Sequence, residues 1–464
     1  METPRPKGIV IFGGGTATNS LVDIFNELRE SRNCSLSYII PISDNGGSSS
    51  ELIRVLGGPG IGDIRSRLVR LIPNSESNAD LAATKALFNH RLSSDPDKAR
   101  SEWLDVVEGR HELWGQISSD KRELIRSFFN LVNLEIVKRA RPSSTFNFGR
   151  AAVGNLFLTG GRLFSGSLES SIYLLSQICA IPPSTAVVPA INSNFTHHIS
   201  AGLTNGDTIT GQNNISHPSE PTALPDDPTL AVRETDAHDQ IEDANLPGSL
   251  PTLRKQYIEF SKAAEEDLPA RINRVWYINP YGHEITTRAN PKVLQAMQNA
   301  STVVYSIGSL YTSIIPSLIV RGVGAAISNS PGVKQKILIL NSSNDRETGP
   351  STSPFTATDF IKAIVRAGVE SQGNINTSLG EISKNPNSEC SEVRKYVTHL
   401  IHLEGQGTPK VDKEELAALG VDSVRVYGRR VDGALRYDEE GLKRALEAVV
   451  GRAEMGRSRR NTKQ

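Results

Sequence analysis

The feature that most constrains this chain is an alternation of short, largely apolar runs with stretches of helical periodicity. The runs fall at 9–12, 36–42, 186–191, 275–278, 302–306, 336–340, 397–403 and 424–427. Between them, apolar residues recur three or four apart, as in Leu21, Ile24, Phe25 and Leu28, or Leu168, Ile172, Leu175 and Cys179. A run that is apolar on both faces reads as a strand covered on both sides. Strands of that kind alternating with helices predict βαβ units, an α/β fold with a mostly parallel sheet, and right-handed crossovers.

Several segments break the rhythm. Residues 79–141 carry Leu, Phe and Trp at helical spacing with no strand between them, and read as a helical insertion within a single domain spanning 8–450. Residues 195–212 alternate around Asn205-Gly206, a strong β-hairpin signal. The stretch 217–247 is rich in Pro, Asp and Glu, with Arg233 its only Lys or Arg, and reads as a disordered acidic loop. Residues 372–392 are rich in Asn, Ser and Gly and are expected to form a flexible loop, and 451–464 form a basic tail.

Composition narrows the function. The 464 residues carry 51 Lys and Arg against 51 Asp and Glu, so global electrostatics predict neither a nucleic-acid nor a membrane partner. Cys34, Cys179 and Cys390 lie far apart, without the spacing of a disulfide framework or a zinc site. The first residues lack the apolar core of a signal peptide, and no run is long enough to span a bilayer. These features lead to the expectation of a cytoplasmic protein.

The chemistry gathers where strands hand over to helices. In "IVIFGGGTATNS", Gly13, Gly14, Gly15 and Thr16 follow the first strand, where a tight turn and a helix N-terminus favour a phosphate-sized anion. A dinucleotide fingerprint would need glycine at position 18, where this chain has Thr18, so an NAD-dependent oxidoreductase is disfavoured. After the second strand, "SDNGGSSS" presents Asp44, Asn45, Gly46, Gly47, Ser48 and Ser49, with Asp44 suited to a metal ion or a ribose hydroxyl. In "GIGDIRSR", Asp63 stands where a helix cap belongs or as a carboxylate at the rim, with Arg65 as an anion ligand. Asn155 in "VGNLFL" and Gly308, Ser309, Thr312 and Ser313 in "GSLYTSIIP" complete the set. In an open α/β sheet, the carboxyl ends of the strands share one rim, where ligands bind. No phosphate-binding Lys loop and no nucleophile elbow occurs, so an enzyme built this way would work by positioning and electrostatics on a phosphate.

Taken in order, GGGT at 13–16, DNGGSSS at 44–50, GDIR at 62–65, GN at 154–155 and GSLYTSIIP at 308–316 resemble the superfamily of the 2-phospho-L-lactate transferase CofD and the gluconeogenesis factor YvcK, and are closer to the YvcK branch. The chain reads as a eukaryotic-type member with insertions. The resemblance implies a Rossmann-like, three-layer, doubly wound core with a nucleotide or nucleotide sugar on the rim. It implies a phospholactate-type transferase in which Asp44 and Asp63 hold magnesium. The alternative is a non-catalytic regulator of carbon metabolism that senses a metabolite at the same site, with a regulatory protein partner or a homo-oligomeric state. The family's second aspartate is here Asn45, and an amide oxygen binds a hard dication less well than a carboxylate.

Overall fold

A computed structural model of the chain describes residues 8–43, 46–73, 78–141, 145–216, 250, 253, 267–373, 386–431 and 433–461. Asp44, Asn45, the acidic stretch 217–247, and 374–385 of the Asn/Ser/Gly-rich stretch lie outside the described residues.

Seven strands form one parallel sheet: β1 (Gly8–Phe12), β2 (Leu36–Ile40), β3 (Thr185–Pro189), then β7 (Ala300–Tyr305), β8 (Gln335–Ile339), β9 (His399–His402) and β10 (Asp422–Arg425). Their spatial order is β3-β2-β1-β7-β8-β9-β10, and every pairing is parallel. The chain lays strands outward from β1 to β3, returns to the middle, and then builds outward from β7 on the other side. This is the doubly wound, Rossmann-like order, and its switch point lies between β1 and β7. All five residues of β1 and of β8 are buried, the burial on both faces that makes parallel strands apolar throughout. Phe12 stacks on Tyr305 across the switch point, with ring centroids 5.9 Å apart.

The apolar run at 275–278 takes a different place. It belongs to β6 (Ile272–Ile278), which pairs antiparallel with β4 (His198–Leu203) in a three-stranded sheet completed by β5 (Thr208–Thr210). β4 and β5 form the hairpin around Asn205-Gly206, with Gly206 at φ +96° supplying the left-handed position of the turn. Residues 386–392, the end of the stretch 372–392 expected to be a loop, belong instead to a helix, Pro386–Tyr396. Its apolar anchors, Val393 and Tyr396, are buried.

Residues 79–139 contain three α-helices, Ala79–Asn89, Pro96–Glu108 and Ser119–Arg139, clasped around Trp103, Trp114 and Phe129. After β10, β11 (Gly428–Val431) and β12 (Ala434–Tyr437) make an antiparallel hairpin, followed by the helix Glu439–Asn461 through much of the basic C-terminal segment. Among the described residues, no helix is long and apolar enough to cross a membrane.

Candidate functional site

The loops leaving β1, β2, β7 and β8 meet at the switch point and enclose two chambers. One has a volume of about 420 Å³ and is bounded by Gly46, Gly47, Ser48 and Ser49 on one side and by Asp63, Arg65 and Asn155 on another, with Arg91 and Arg150 at its mouth. The second, of about 590 Å³, lies between Ala17, Ser20 and Leu21, the Gly308–Ser309 turn with Asn341, and the β11–β12 hairpin. Thr16 borders both. It opens the short helical turn Thr16–Asn19, which precedes the longer helix Val22–Arg32.

The three glycines after β1 are required first by the protein's own side chains. A Cβ on Gly15 would collide with Asp63 Oδ1, one on Gly14 would fall 2.6 Å from Ser313 Oγ and 2.8 Å from Asp63 Oδ2, and one on Gly13 would fall 2.5 Å from Thr18 Oγ1. Gly13, Gly14, Gly15 and Ser313 therefore make the floor beneath Thr16 and line neither chamber.

Asp63 lies in the first turn of the helix Gly62–Arg70, whose cap position is Ile61, so it is not the N-cap. Its carboxylate accepts the Gly15 N–H. Burial pushes its carboxyl above the usual carboxylate range, against the opposing pull of Arg67, the Gly15 N–H and Arg65. Arg67, one turn along the same helix, is fully buried. It donates from Nη2 to the Gly14 carbonyl at 2.8 Å and from Nε to Asn19 Oδ1 at 2.7 Å, and its guanidinium lies 4.3 Å from the Tyr38 ring centroid. A buried cation thus sits directly under the glycine loop. Sequence reasoning passed over Arg67, although the Asp63/Arg67 spacing of four on one helix face was its available signal.

Of the serines after β2, Ser48 and Ser49 line the smaller chamber. Gly47, at φ +53° and ψ −133°, turns the chain into the helix Ser48–Leu56 in a conformation open to glycine. Ser48 Oγ accepts from the Ala152 N–H at 3.3 Å and from Asn155 Nδ2 at 3.2 Å, and Arg65 Nε donates to Asn155 Oδ1 at 3.3 Å. Ser48, Arg65 and Asn155 form one buried polar chain along the wall of the smaller chamber. Arg91 and Arg150, which add two more guanidinium groups, left no pattern in the sequence by which to find them.

Across the switch point, Gly308 stands at φ +137° and is pinned by Asn341, whose side chain accepts the Gly308 N–H at 3.0 Å and donates to its carbonyl at 2.8 Å. Gly308 and Ser309 line the larger chamber, but Thr312 does not. The Tyr311 and Thr312 N–H groups and the Thr312 hydroxyl all bond to Glu347, at 2.9, 3.0 and 2.6 Å. Glu347 is fully buried, and burial together with the neighbouring Asp345 carboxylate pushes its pKa to about 8. Thr312 is thus engaged by a carboxyl group of the protein itself, while Gly308 and Ser309 face the larger chamber.

The fit to magnesium is poor among the described residues. The smaller chamber has one described carboxylate, Asp63, which is bonded to an amide and faced by two arginines. Magnesium prefers near-octahedral oxygen donors, and Asp44 lies outside the described residues.

The family model for "2-phospho-L-lactate transferase CofD" matches residues 9–427. The Saccharomyces cerevisiae protein YNL011C is 39% identical over 461 residues, covering 95% of this chain and 99% of that protein. A gluconeogenesis factor from Halalkalibacterium halodurans is 23% identical over 445 residues, covering 95% and 96%. The crystal structure of a UPF0052 family protein from Bacillus halodurans superposes with a TM-score of 0.57 at 20% identity, over 95% of this chain and 99% of that one, and so shares the fold. With the family match extending over the seven-stranded sheet from Ile9 to its last strand, and a relative 39% identical along nearly its whole length, the chain belongs to the CofD family.

Proposed function

We propose that this protein binds a nucleotide or nucleotide sugar across the two chambers, with the phosphates in the smaller one. The observation that carries this reading is the wall of Ser48, Arg65 and Asn155 at the start of the helix Ser48–Leu56, faced by Arg91 and Arg150. Helix N-termini and arginine forks both favour phosphate oxygens. The larger chamber mixes apolar Leu21, Ile307 and Val431 with hydroxyl and amide groups, a lining suited to a ribose and base or to an acceptor molecule.

Two chambers that meet at Thr16 favour a transferase of the phospholactate type, because they let a donor and an acceptor approach one point from opposite sides. The engaged Asp63 favours the second reading, a regulator of carbon metabolism that senses its ligand without turnover. No step is assigned to a metal. The free thiols of Cys34, Cys179 and Cys390 are consistent with a cytoplasmic setting.

The test is a thermal-shift and calorimetric screen of nucleoside diphosphates and nucleotide sugars over a magnesium series. A ligand at 100 times its dissociation constant should stabilise the fold by about 2.7 kcal/mol. If none shifts the melt, the binding reading fails. If wild type and Asp63→Asn give the same magnesium curve and no product forms from any donor–acceptor pair, the sensor reading stands and the transferase falls.

A further inference from the structure

The helical turn Thr16–Asn19 is fastened to one neighbouring helix, Gly62–Arg70. Asp63 accepts the Gly15 N–H at the start of the turn. Asn19 closes the turn, and each end of its amide has a partner on the same helix. Arg67 Nε donates to Asn19 Oδ1 at 2.7 Å, and Asn19 Nδ2 donates to Ser66 Oγ at 2.7 Å. The turn depends on such ties, because a single helical turn has little stability of its own.

These bonds settle which way each group points. A guanidinium can only donate, so the atom of Asn19 that meets Arg67 must be its oxygen. The NH₂ then faces Ser66, and Ser66 Oγ accepts from it. A hydroxyl that accepts from one side keeps its own proton for another partner. Within a helix that partner is commonly the carbonyl one turn back, here that of Gly62. Ser66 does not take it: among the described residues its hydroxyl donates to nothing. Ser66 is half-buried and lines the smaller chamber with Asp63 and Arg65. Neither Asn19 nor Arg67 lines either chamber.

Arg67 is the costly end of this relay. It is fully buried over the Tyr38 ring, and among the described residues its Nη1 and the Tyr38 hydroxyl find no partner of hydrogen-bonding geometry. A cation taken out of water with a donor unspent is a poor way to stabilise a core, where an apolar side chain of similar size often serves as well. An apolar side chain could not hold the Asn19 amide in one orientation. We propose that Ser66 is a ligand contact, donating its hydroxyl proton to an oxygen of the anion in the smaller chamber, and that Asn19 and Arg67 are the positioning residues that leave that proton free and aim it. The assignment rests on the reading of the smaller chamber as the phosphate end. Hydrogen bonds in a chain polarise one another, so an Asn19 amide held by a cation makes Ser66 a better donor.

Inorganic pyrophosphate, titrated calorimetrically into the full chain well below the melting temperature of every variant, provides the test. Ser66→Ala should weaken binding about tenfold, the loss of one hydrogen bond to a charged group. Asn19→Ala removes no atom from the wall of either chamber, and should weaken binding about threefold by freeing the Ser66 hydroxyl to turn. Asn19→Asp is diagnostic. It keeps one oxygen for Arg67 but presents a second oxygen to Ser66, which then donates its proton there and turns it away from the chamber. It should cost about as much as Ser66→Ala, and much less in a Ser66→Ala background. The added negative charge acting alone would weaken binding equally in both backgrounds. Wild-type affinity in Ser66→Ala would overturn the contact. Wild-type affinity in Asn19→Ala, or equal effects of Asn19→Asp with and without the Ser66 hydroxyl, would overturn the positioning. Failure of wild type to bind pyrophosphate would instead bring down the phosphate reading of the chamber, and this assignment with it.

Discussion

Glu347→Gln isolates the buried carboxyl that organises the turn after β7. Its pKa rises from 4.5 to about 8, first through burial and then through the Asp345 carboxylate beside it. A raised pKa means the folded state holds the proton more tightly than the unfolded state. The associated stability is fully present below about pH 4.5 and is lost as pH rises, levelling off above about pH 8. With those two values, the folded protein should lose about 2 kcal/mol between pH 6 and pH 8 from this group, and little more above it. Glutamine has the same shape. Its carbonyl can accept the Tyr311 and Thr312 N–H groups, and its NH₂ can donate to the Thr312 hydroxyl, the set a protonated Glu347 satisfies. The variant should match wild type near pH 5, and its relative stability should grow by about 3–4 kcal/mol by pH 8, some 2 kcal/mol of it between pH 6 and pH 8. Denaturant midpoints measured for both proteins at half-unit intervals from pH 5 to 9 would show it. Parallel curves, or a variant less stable at every pH, would refute the argument, since either would mean that Glu347 is ionised in the fold and its charge is compensated.

Gly15→Ala puts a methyl group on the Asp63 carboxylate, with Asp63 Cα, a backbone atom, 3.2 Å away. Overpacking here should cost about 1–3 kcal/mol in a melt; an unchanged melt would show that the Asp63 carboxylate can move aside. Tyr437→Phe removes a buried hydroxyl that bonds to the Leu340 carbonyl at 2.7 Å and the Ile401 carbonyl at 3.1 Å. It should cost about 1–2 kcal/mol and loosen the β11–β12 hairpin, seen as faster amide exchange over 428–437; unchanged exchange there would show that the hairpin is held by other contacts.

How much was legible in the sequence depended on how local each signal was. β1, β2, β3, β7, β8 and β9 were readable because strands buried on both faces are largely apolar, most clearly Ile9–Phe12 in β1. The run at 275–278 is just as apolar, but it pairs with β4 in the smaller sheet, and nothing in four residues says which partner they will meet. Gly46–Ser49 of the DNGGSSS stretch and Asp63 and Arg65 of GDIR line the smaller chamber. The roles of individual residues were less visible, because each is set by a partner far along the chain. Thr312 looked like a ligand contact, but Glu347, thirty-five residues later, takes its hydroxyl and amide. The glycines after β1 have neighbours that only the fold reveals: Asp63 and Ser313 stand where Cβ atoms on Gly14 and Gly15 would fall. Arg91 and Arg150 reach the site through a pairing between two loops fifty-nine residues apart, a relation with no periodicity to betray it.

The short helical turn beginning at Thr16 forms part of the wall of both chambers. A wall shared by two compartments links their occupants thermodynamically. Whatever factor a ligand on one side applies to affinity on the other, by drawing Thr16 towards itself or pressing it away, the second ligand must return in full. Reciprocity makes the order of addition irrelevant to the final occupancy. A single titration of one ligand at fixed levels of the other therefore measures the conversation in both directions.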